Sequence, residues 1–219
     1  MVNGLFKCLK GLVMVLKRCL FLMLIAAFCS TSLALDQAVF RPSHEHDCVE
    51  ENMSGNGMYM DSSDLELCND GGQQFIGVRF TNVVLDPEAT IVNAYIQFDV
   101  DETKGSGSPC ILAIAGENSG NAERYTTAIG SVSTRDYLED DPIFWDIPDW
   151  FTVHAQGPEQ ATPNLANHVN RIMNRSDWQM GNAMAFIIVD PFALGMVTPA
   201  DFGLPVNFSN SLRCAESYG

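Results

Sequence analysis

The residues of this 219-residue chain that are best suited to chemistry form a short acidic and aromatic cluster between positions 140 and 150. Its members are four carboxylates and two indoles: Asp140, Asp141, Asp146, Asp149, Trp145 and Trp150. An aromatic face beside polar groups suits the binding of a sugar. Two carboxylates at a suitable separation are sufficient for glycoside hydrolysis. The cluster therefore indicates a carbohydrate-binding surface, with the acid pair of a hydrolase and an ordinary acidic loop as alternatives.

Four residues are predicted to contact such a ligand: Trp150, Tyr95, Asp146 and Asp149. Trp150 follows a Pro-Asp turn among polar neighbours, so we expect it to be exposed. Trp145 ends a short apolar run and is expected to lie in the core. Tyr95 faces the polar side of its strand, where it forms either a binding platform or a cross-strand pair.

A second group of acidic residues surrounds the first predicted strands. Oxygen ligands of this kind suit Ca²⁺, and we predict a structural calcium site from Asp47, Glu50, Asp61 and Asp64. The alternative is a solvated acidic surface.

Two nearby histidines, His44 and His46, share one face of an extended segment and invite a transition-metal interpretation. A zinc site needs three or four protein ligands. The further imidazoles, His154 and His168, lie far away in the sequence. A transition-metal site here is therefore the less favoured interpretation.

The first 34 residues predict a secretory signal peptide. Four basic residues precede an apolar run from Cys19 to Cys29, and Ser32-Leu33-Ala34 supplies the small residues of a cleavage site. That run is too short to cross a bilayer as a helix, although an uncleaved signal anchor is the alternative. We expect a secreted protein with no membrane span after cleavage and a single domain over residues 35–219.

Charge excludes one class of partner. The formal net charge of the chain is −15, and cleavage would remove four positive charges to leave −19. Such a surface repels phosphate backbones, so we expect no nucleic-acid partner. A soluble extracellular protein is compatible with this acidity.

Cysteine usage also agrees with export. Four cysteines follow the leader, and an oxidising compartment favours two disulfides. Three pairings are possible, of which we favour Cys48–Cys68 with Cys110–Cys214. Three Asn-x-Ser/Thr sequences, at Asn52, Asn174 and Asn207, are candidate glycosylation sites.

The hydrophobic pattern is mainly that of β-strands. Residues 73–84 and 91–100 alternate between apolar and polar side chains, which indicates half-buried antiparallel strands. In the second of these strands Val92 is assigned to the apolar face with Ala94 and Ile96. Residues 110–116 and 183–189 are apolar throughout and predict strands buried on both faces. One helix is predicted, with Thr162 as its N-cap and its end near Arg175.

Several motifs resemble those of a known family. They are SSDLEL at 62–67, QFIGVRFTNV at 74–83, ATIVNAYIQF at 89–98 and RCAESY at 213–218. They are similar to secreted jelly-roll β-sandwich modules of the DNRLRE type and, more loosely, to carbohydrate-binding modules. The resemblance covers roughly residues 45–218. It implies a jelly-roll β-sandwich without catalytic machinery of its own.

The chain departs from the family pattern twice. The family's final apolar strand has no counterpart after the closing motif, so the sandwich is expected to lack it or to cover the open edge with another element. Residues 192–212 are longer and more apolar than the loop typical of this position. They are either an insertion or translated noncoding sequence.

Together these features predict a non-catalytic secreted binding module for a polysaccharide or cell-surface glycan. The alternative is a structural or adhesive extracellular matrix protein with an acidic ion-binding surface. A secreted glycoside hydrolase is the third interpretation.

Overall fold

The computed structural model describes residues 11–17 and 35–217, which form an antiparallel β protein with one α-helix. The helix, α1, spans Ala166–Met173, and three short 3-10 helices span Glu45–Asp47, Pro158–Gln160 and Pro199–Phe202. The strands of the described residues are β1 Gly11–Lys17, β2 Leu35–Phe40, β3 Cys48–Asn52, β4 Met58–Tyr59, β5 Asp64–Leu67, β6 Gln74–Phe80, β7 Thr90–Gln97, β8 Val100–Glu102, β9 Cys110–Gly116, β10 Ile143–Ile147, β11 Met184–Val189 and β12 Arg213–Glu216. The predicted all-β class with one short helix is confirmed.

The strands form three separate sheets. The largest has the order β10-β9-β11-β6-β3-β4, and the two smaller ones have the orders β5-β12-β8 and β2-β1-β7. One core cluster contains Phe186 of the largest sheet, Ala215 and Leu65 of the β5-β12-β8 sheet, and Ile96 of β7. The main core therefore lies between the six-stranded sheet and the two smaller sheets.

A second apolar cluster covers the opposite face of the six-stranded sheet. It includes Ala113, Ala185, Ile187 and Tyr125. This explains why β9 and β11 are buried along their whole length, as their unbroken apolar runs predict. In β6 the predicted alternation is also confirmed, because Ile76, Val78 and Phe80 are fully buried.

The assignment of Val92 to the apolar face of β7 is wrong. The register against β1 pairs Val15 with Asn93 and Leu16 with Ile91, which leaves Val92 as an extra residue. A β-bulge of this kind shifts the alternation by one position. As a result Ile91 is buried at 2% exposure, whereas Val92 is 42% exposed.

The helix begins later than predicted, because the residues before it complete another strand. Thr162 accepts a hydrogen bond from the Ile96 amide (3.0 Å) and donates its own amide to the Ile96 carbonyl (3.0 Å). Thr162 is therefore a partner of β7 and not a helix cap. The N-cap residue is Leu165, and Asn164 just before it accepts a hydrogen bond from the first helical amide, that of Ala166, through its Oδ1 at 2.9 Å.

Both chain termini of the described region pair with other strands. Strand β1 lies within the predicted signal peptide and pairs with β2 and β7; residues 1–10 and 18–34 of that leader lie outside the described residues. Strand β12 lies between β5 and β8, so it is not an open edge. No helix among the described residues has both the length and the apolar character needed to cross a membrane.

Neither predicted disulfide is present. Cys48, Cys68, Cys110 and Cys214 are all buried, and no disulfide joins any two of them. Cys110 contributes to the main core, but Cys214 is adjacent to core residue Ala215 on β12 and its side chain faces the other way. The predicted bond between Cys110 and Cys214 is therefore wrong for this structure, since it would have to join opposite faces of a strand.

Candidate functional site

Trp150 is the clearest correction to the predicted ligand site. Its side chain is 1% exposed, and the indole nitrogen donates to the carbonyl of Glu159 at 3.1 Å. Its ring packs near Trp145 and Phe98, with centroid separations of 6.3 and 6.2 Å. Trp150 is a core residue and cannot stack on a ligand in this structure. The prediction that Trp145 lies in the core is confirmed at 3% exposure.

Two carboxylates that were predicted to bind the ligand lie in the same cleft. Asp146 and Asp149 line one cleft of about 450 Å³. Asp149 is held in place, because its Oδ1 accepts from Arg213 (2.9 Å) and from the Gly107 amide (2.7 Å). Asp146 is exposed on β10. Tyr95 is half-buried on β7, in a different sheet, and does not line this cleft.

Two other acids of the cluster are engaged elsewhere. Asp140 is paired with Arg171 on α1 at 2.9 Å, and this ion pair lowers the pKa of Asp140. Asp141 accepts a hydrogen bond from Asn167 of the same helix. The acidic cluster is therefore divided between the helix and the cleft.

A larger groove of about 600 Å³ lies beside this cleft on the outer face of the six-stranded sheet. Small residues of β9, Ala113 and Ala115, contribute to its lining and leave room above the sheet. Three aromatic side chains also line it: Phe75, Tyr137 and Phe144. Polar groups come from Ser133 and Glu139.

The apolar segment 192–212 builds one side of both depressions. Leu194 and Met196 line the groove, while Phe202 and Leu204 line the cleft. Phe202 also packs edge-on against Phe144 of β10, with ring centroids 5.6 Å apart. These contacts explain why the segment is unusually apolar, since its apolar side chains form one wall of the groove and of the cleft.

The opposite wall is fixed by a buried carboxylate. Glu51 accepts hydrogen bonds from the amides of Gly130, Val132 and Ser133 and from the Ser133 hydroxyl, at 2.6–3.0 Å. Burial alone would raise the pKa of Glu51, but these hydrogen bonds outweigh it and hold the pKa below its usual value. Glu51 therefore anchors the loop that carries Ser133.

The four predicted calcium ligands do not form one ligand cluster, although the charge of Asp64 acts on Glu50. Asp47 is buried against Arg79, with 2.6 Å between carboxylate and guanidinium, and Asp61 is exposed. Glu50 accepts from the amide of Glu66 at 2.9 Å, and burial raises the pKa of Glu50 to about 8. Asp64 instead receives a hydrogen bond from the Cys214 thiol.

Asp64 belongs to a different acidic surface, which we call the acidic face. It is the outer face of the β5-β12-β8 sheet. Leu65, Val100 and Ala215 point into the main core, so their neighbours along each strand point away from it. The neighbours are one thiol and five carboxylates: Cys214, Asp64, Glu66, Asp99, Asp101 and Glu216. Burial, followed by the hydrogen bond to Asp64, raises the pKa of the Cys214 thiol.

The histidines do not form one site. His44 and His46 lie together with Glu45, and their ligand atoms are within 4.8 Å of one another. His168 is buried and contacts the Asp141 carbonyl at 2.8 Å. His154 lies 3.3 Å from Glu216, at the edge of the acidic face.

The candidate glycosylation sites differ in access. Asn174 and Asn207 are exposed. Asn52 is half-buried, and its Oδ1 accepts two hydrogen bonds from Ser54 within the same sequon. Glycan attachment at all three positions stays a prediction.

No family model, curated protein or solved structure matches the chain. The resemblance to jelly-roll modules therefore stays a prediction. The groove residues Phe75, Tyr137, Phe144 and Glu139 were not anticipated, because they lie on separate strands and loops. The acidic and aromatic cluster at 140–150 was the sequence signal nearest to this region, because Asp146 and Asp149 line the adjoining cleft.

Proposed function

We propose that the protein is a non-catalytic binding module whose ligand is a carbohydrate held on the outer face of the six-stranded sheet. The observation that carries this proposal is the aromatic groove beside the cleft of Asp146 and Asp149. We include in the proposal that the fold is of the jelly-roll type and that the protein is secreted, as the leader and the family motifs imply.

The chemistry of the groove supports a sugar ligand. Sugar rings present C–H faces that pack on aromatic side chains, and Phe144 offers such a surface at 36% exposure. Sugar hydroxyl groups need hydrogen-bond acceptors, and the Glu139 carboxylate and the Ser133 hydroxyl oxygen supply them within the groove. Asp146 continues the polar surface into the adjoining cleft.

Two variants test the proposal by affinity electrophoresis against a panel of soluble polysaccharides. Phe144→Ala removes the exposed ring, and Asp146→Asn removes the exposed carboxylate. We expect each variant to bind the retained polysaccharide about tenfold more weakly, which corresponds to about 1.4 kcal/mol. Phe151→Ala is the control, because Phe151 is an exposed aromatic (68%) that does not line the groove.

Three results would redirect the interpretation. Unchanged binding by both variants would place the ligand elsewhere. Binding of no polysaccharide by the wild type would favour the acidic matrix protein, an alternative supported by the net charge of −15 and by the acidic face. If the wild type releases reducing sugar from a polysaccharide and Asp146→Asn does not, the protein is a hydrolase.

A further inference from the structure

The acidic face contains three potential metal ligands whose donor atoms lie close together. The thiol sulfur of Cys214 lies 3.1 Å from Asp64 Oδ2 and 4.0 Å from Asp101 Oδ2. All three ligand atoms are within 4.8 Å of one another. The three residues come from β5, β8 and β12, so adjacent strands of one sheet hold them.

These distances fit one tetrahedral ion. Zinc binds thiolate sulfur at about 2.3 Å and carboxylate oxygen at about 2.0–2.2 Å, which places sulfur and oxygen about 3.6 Å apart around the metal. The two observed separations of 3.1 and 4.0 Å lie on either side of this value. Small side-chain rotations of Asp64 and Asp101 are therefore sufficient to admit the ion.

A buried carboxylate lies beside these three ligands. Asp99 is 8% exposed and lies two residues before Asp101 on the same face. Its Oδ2 accepts a hydrogen bond from Gln156, whereas its Oδ1 receives none among the described residues and lies 3.9 Å from the imidazole of His154. A carboxylate oxygen buried in this way is costly unless a positive charge lies near it. A bound divalent ion would supply that charge to the face.

We propose that Asp64, Asp101 and Cys214 bind one borderline divalent cation of the Zn²⁺ class, with water completing the coordination. A thiol ligand selects such ions over Ca²⁺, which prefers oxygen ligands alone. On binding, the Cys214 S–H bond breaks, the sulfur coordinates the metal as thiolate and the proton passes to solvent. The ligand set differs from that of the predicted calcium site and shares only Asp64 with it.

Titration calorimetry of the full-length protein with Zn²⁺ tests the site, with Cd²⁺ as a spectroscopic probe of sulfur coordination. We expect one ion per chain and a sulfur-to-cadmium absorption band. Cys214→Ser should abolish the band. Asp101→Asn should weaken Zn²⁺ binding at least 10–100-fold, the loss caused even by changes to groups around a metal's ligands.

His46→Ala is the matched control, because it removes the other potential metal cluster, that of His44, Glu45 and His46. It should bind Zn²⁺ at Cys214 as the wild type does. The proposal is overturned if Zn²⁺ does not bind, if binding is lost in His46→Ala alone, or if Cys214→Ser and Asp101→Asn bind normally. It is also overturned if mass spectrometry places Cys214 in a disulfide. Failure of this site leaves carbohydrate binding in the groove unaffected.

Discussion

At the scale of single residues, Trp150 and its neighbour Phe151 have opposite environments. Trp150 directly precedes Phe151, and the two aromatic side chains are 1% and 68% exposed. The backbone amide of Trp150 donates to Ser106 Oγ at 2.9 Å, and its indole donates to Glu159. These contacts turn Trp150 inward although it follows a Pro-Asp turn and precedes an exposed aromatic residue.

We predict that Trp150→Ala strongly destabilises the protein. Truncation of a buried Trp typically costs about 3–5 kcal/mol, because contacts are lost and a cavity forms. Phe151→Ala should change the free energy of unfolding by no more than about 0.5 kcal/mol. Urea denaturation of both variants measures the difference. Equal stabilities would show that Trp150 is not in the core.

Buried carboxylates at this scale have separate roles. Glu51 organises a loop through four hydrogen bonds, and Asp47 neutralises Arg79. Glu50 has a raised pKa because it is buried near other carboxylates. The acidic residues that were grouped by sequence proximity therefore have different partners and different chemistry.

At the scale of elements, β7 is completed by side-chain amides. Asn170 of α1 accepts from the Ile91 amide (2.9 Å) and donates to the Ile91 carbonyl (2.8 Å). Asn164 makes the same pair of contacts with the Ala94 amide and the Val92 carbonyl, at 3.0 and 3.1 Å. The two amides thus act as a partner strand along this edge and attach the helix to the sheet.

We predict that Asn170→Ala destabilises the protein by about 1–3 kcal/mol, because the backbone groups of Ile91 lose their partners. Asn167→Ala is the control on the same helix, since Asn167 is exposed and its side chain donates a hydrogen bond to Asp141 and not to β7. Denaturation curves compare the two variants, and hydrogen exchange reports on the Ile91 amide. Unchanged exchange at Ile91 would contradict the role of Asn170.

At the scale of the whole molecule, the burial of one carboxyl group makes the stability of the fold depend on pH. The pKa of Glu50 is about 8 in the folded protein, against an ordinary value of 4.5. Between these pH values the folded state holds a proton that the unfolded state has lost. Stability is therefore greatest below pH 4.5 as far as this group is concerned, and it falls as the pH rises to about 8.

We predict that Glu50→Gln removes this loss of folding stability at high pH. The variant should be more stable than the wild type at pH 8–9, and its advantage should shrink as the pH is lowered toward 4.5. Thermal denaturation across this range measures the effect. Glu88→Gln removes the same charge from an exposed position and is the control. An advantage of Glu50→Gln that does not change with pH would contradict a raised pKa.

Elements whose side chains follow a simple period can be predicted from the sequence alone. The burial of Ile76, Val78 and Phe80 in β6 follows from alternation, and unbroken apolar runs gave β9 and β11 two buried faces. Each pattern describes a single strand, and together the patterns are sufficient to predict the all-β class. They could not show the bulge at Val92, which depends on a partner strand.

The candidate sites depend on contacts between residues that are far apart in the sequence. The groove combines Phe75, Tyr137 and Phe144 from distant parts of the chain, and the acidic face joins Asp64 to Cys214 across 150 residues. Side chains meet there because strands that are remote in sequence become neighbours in a sheet. The burial of Trp150 has the same cause, since the residues that cover it are supplied by other loops.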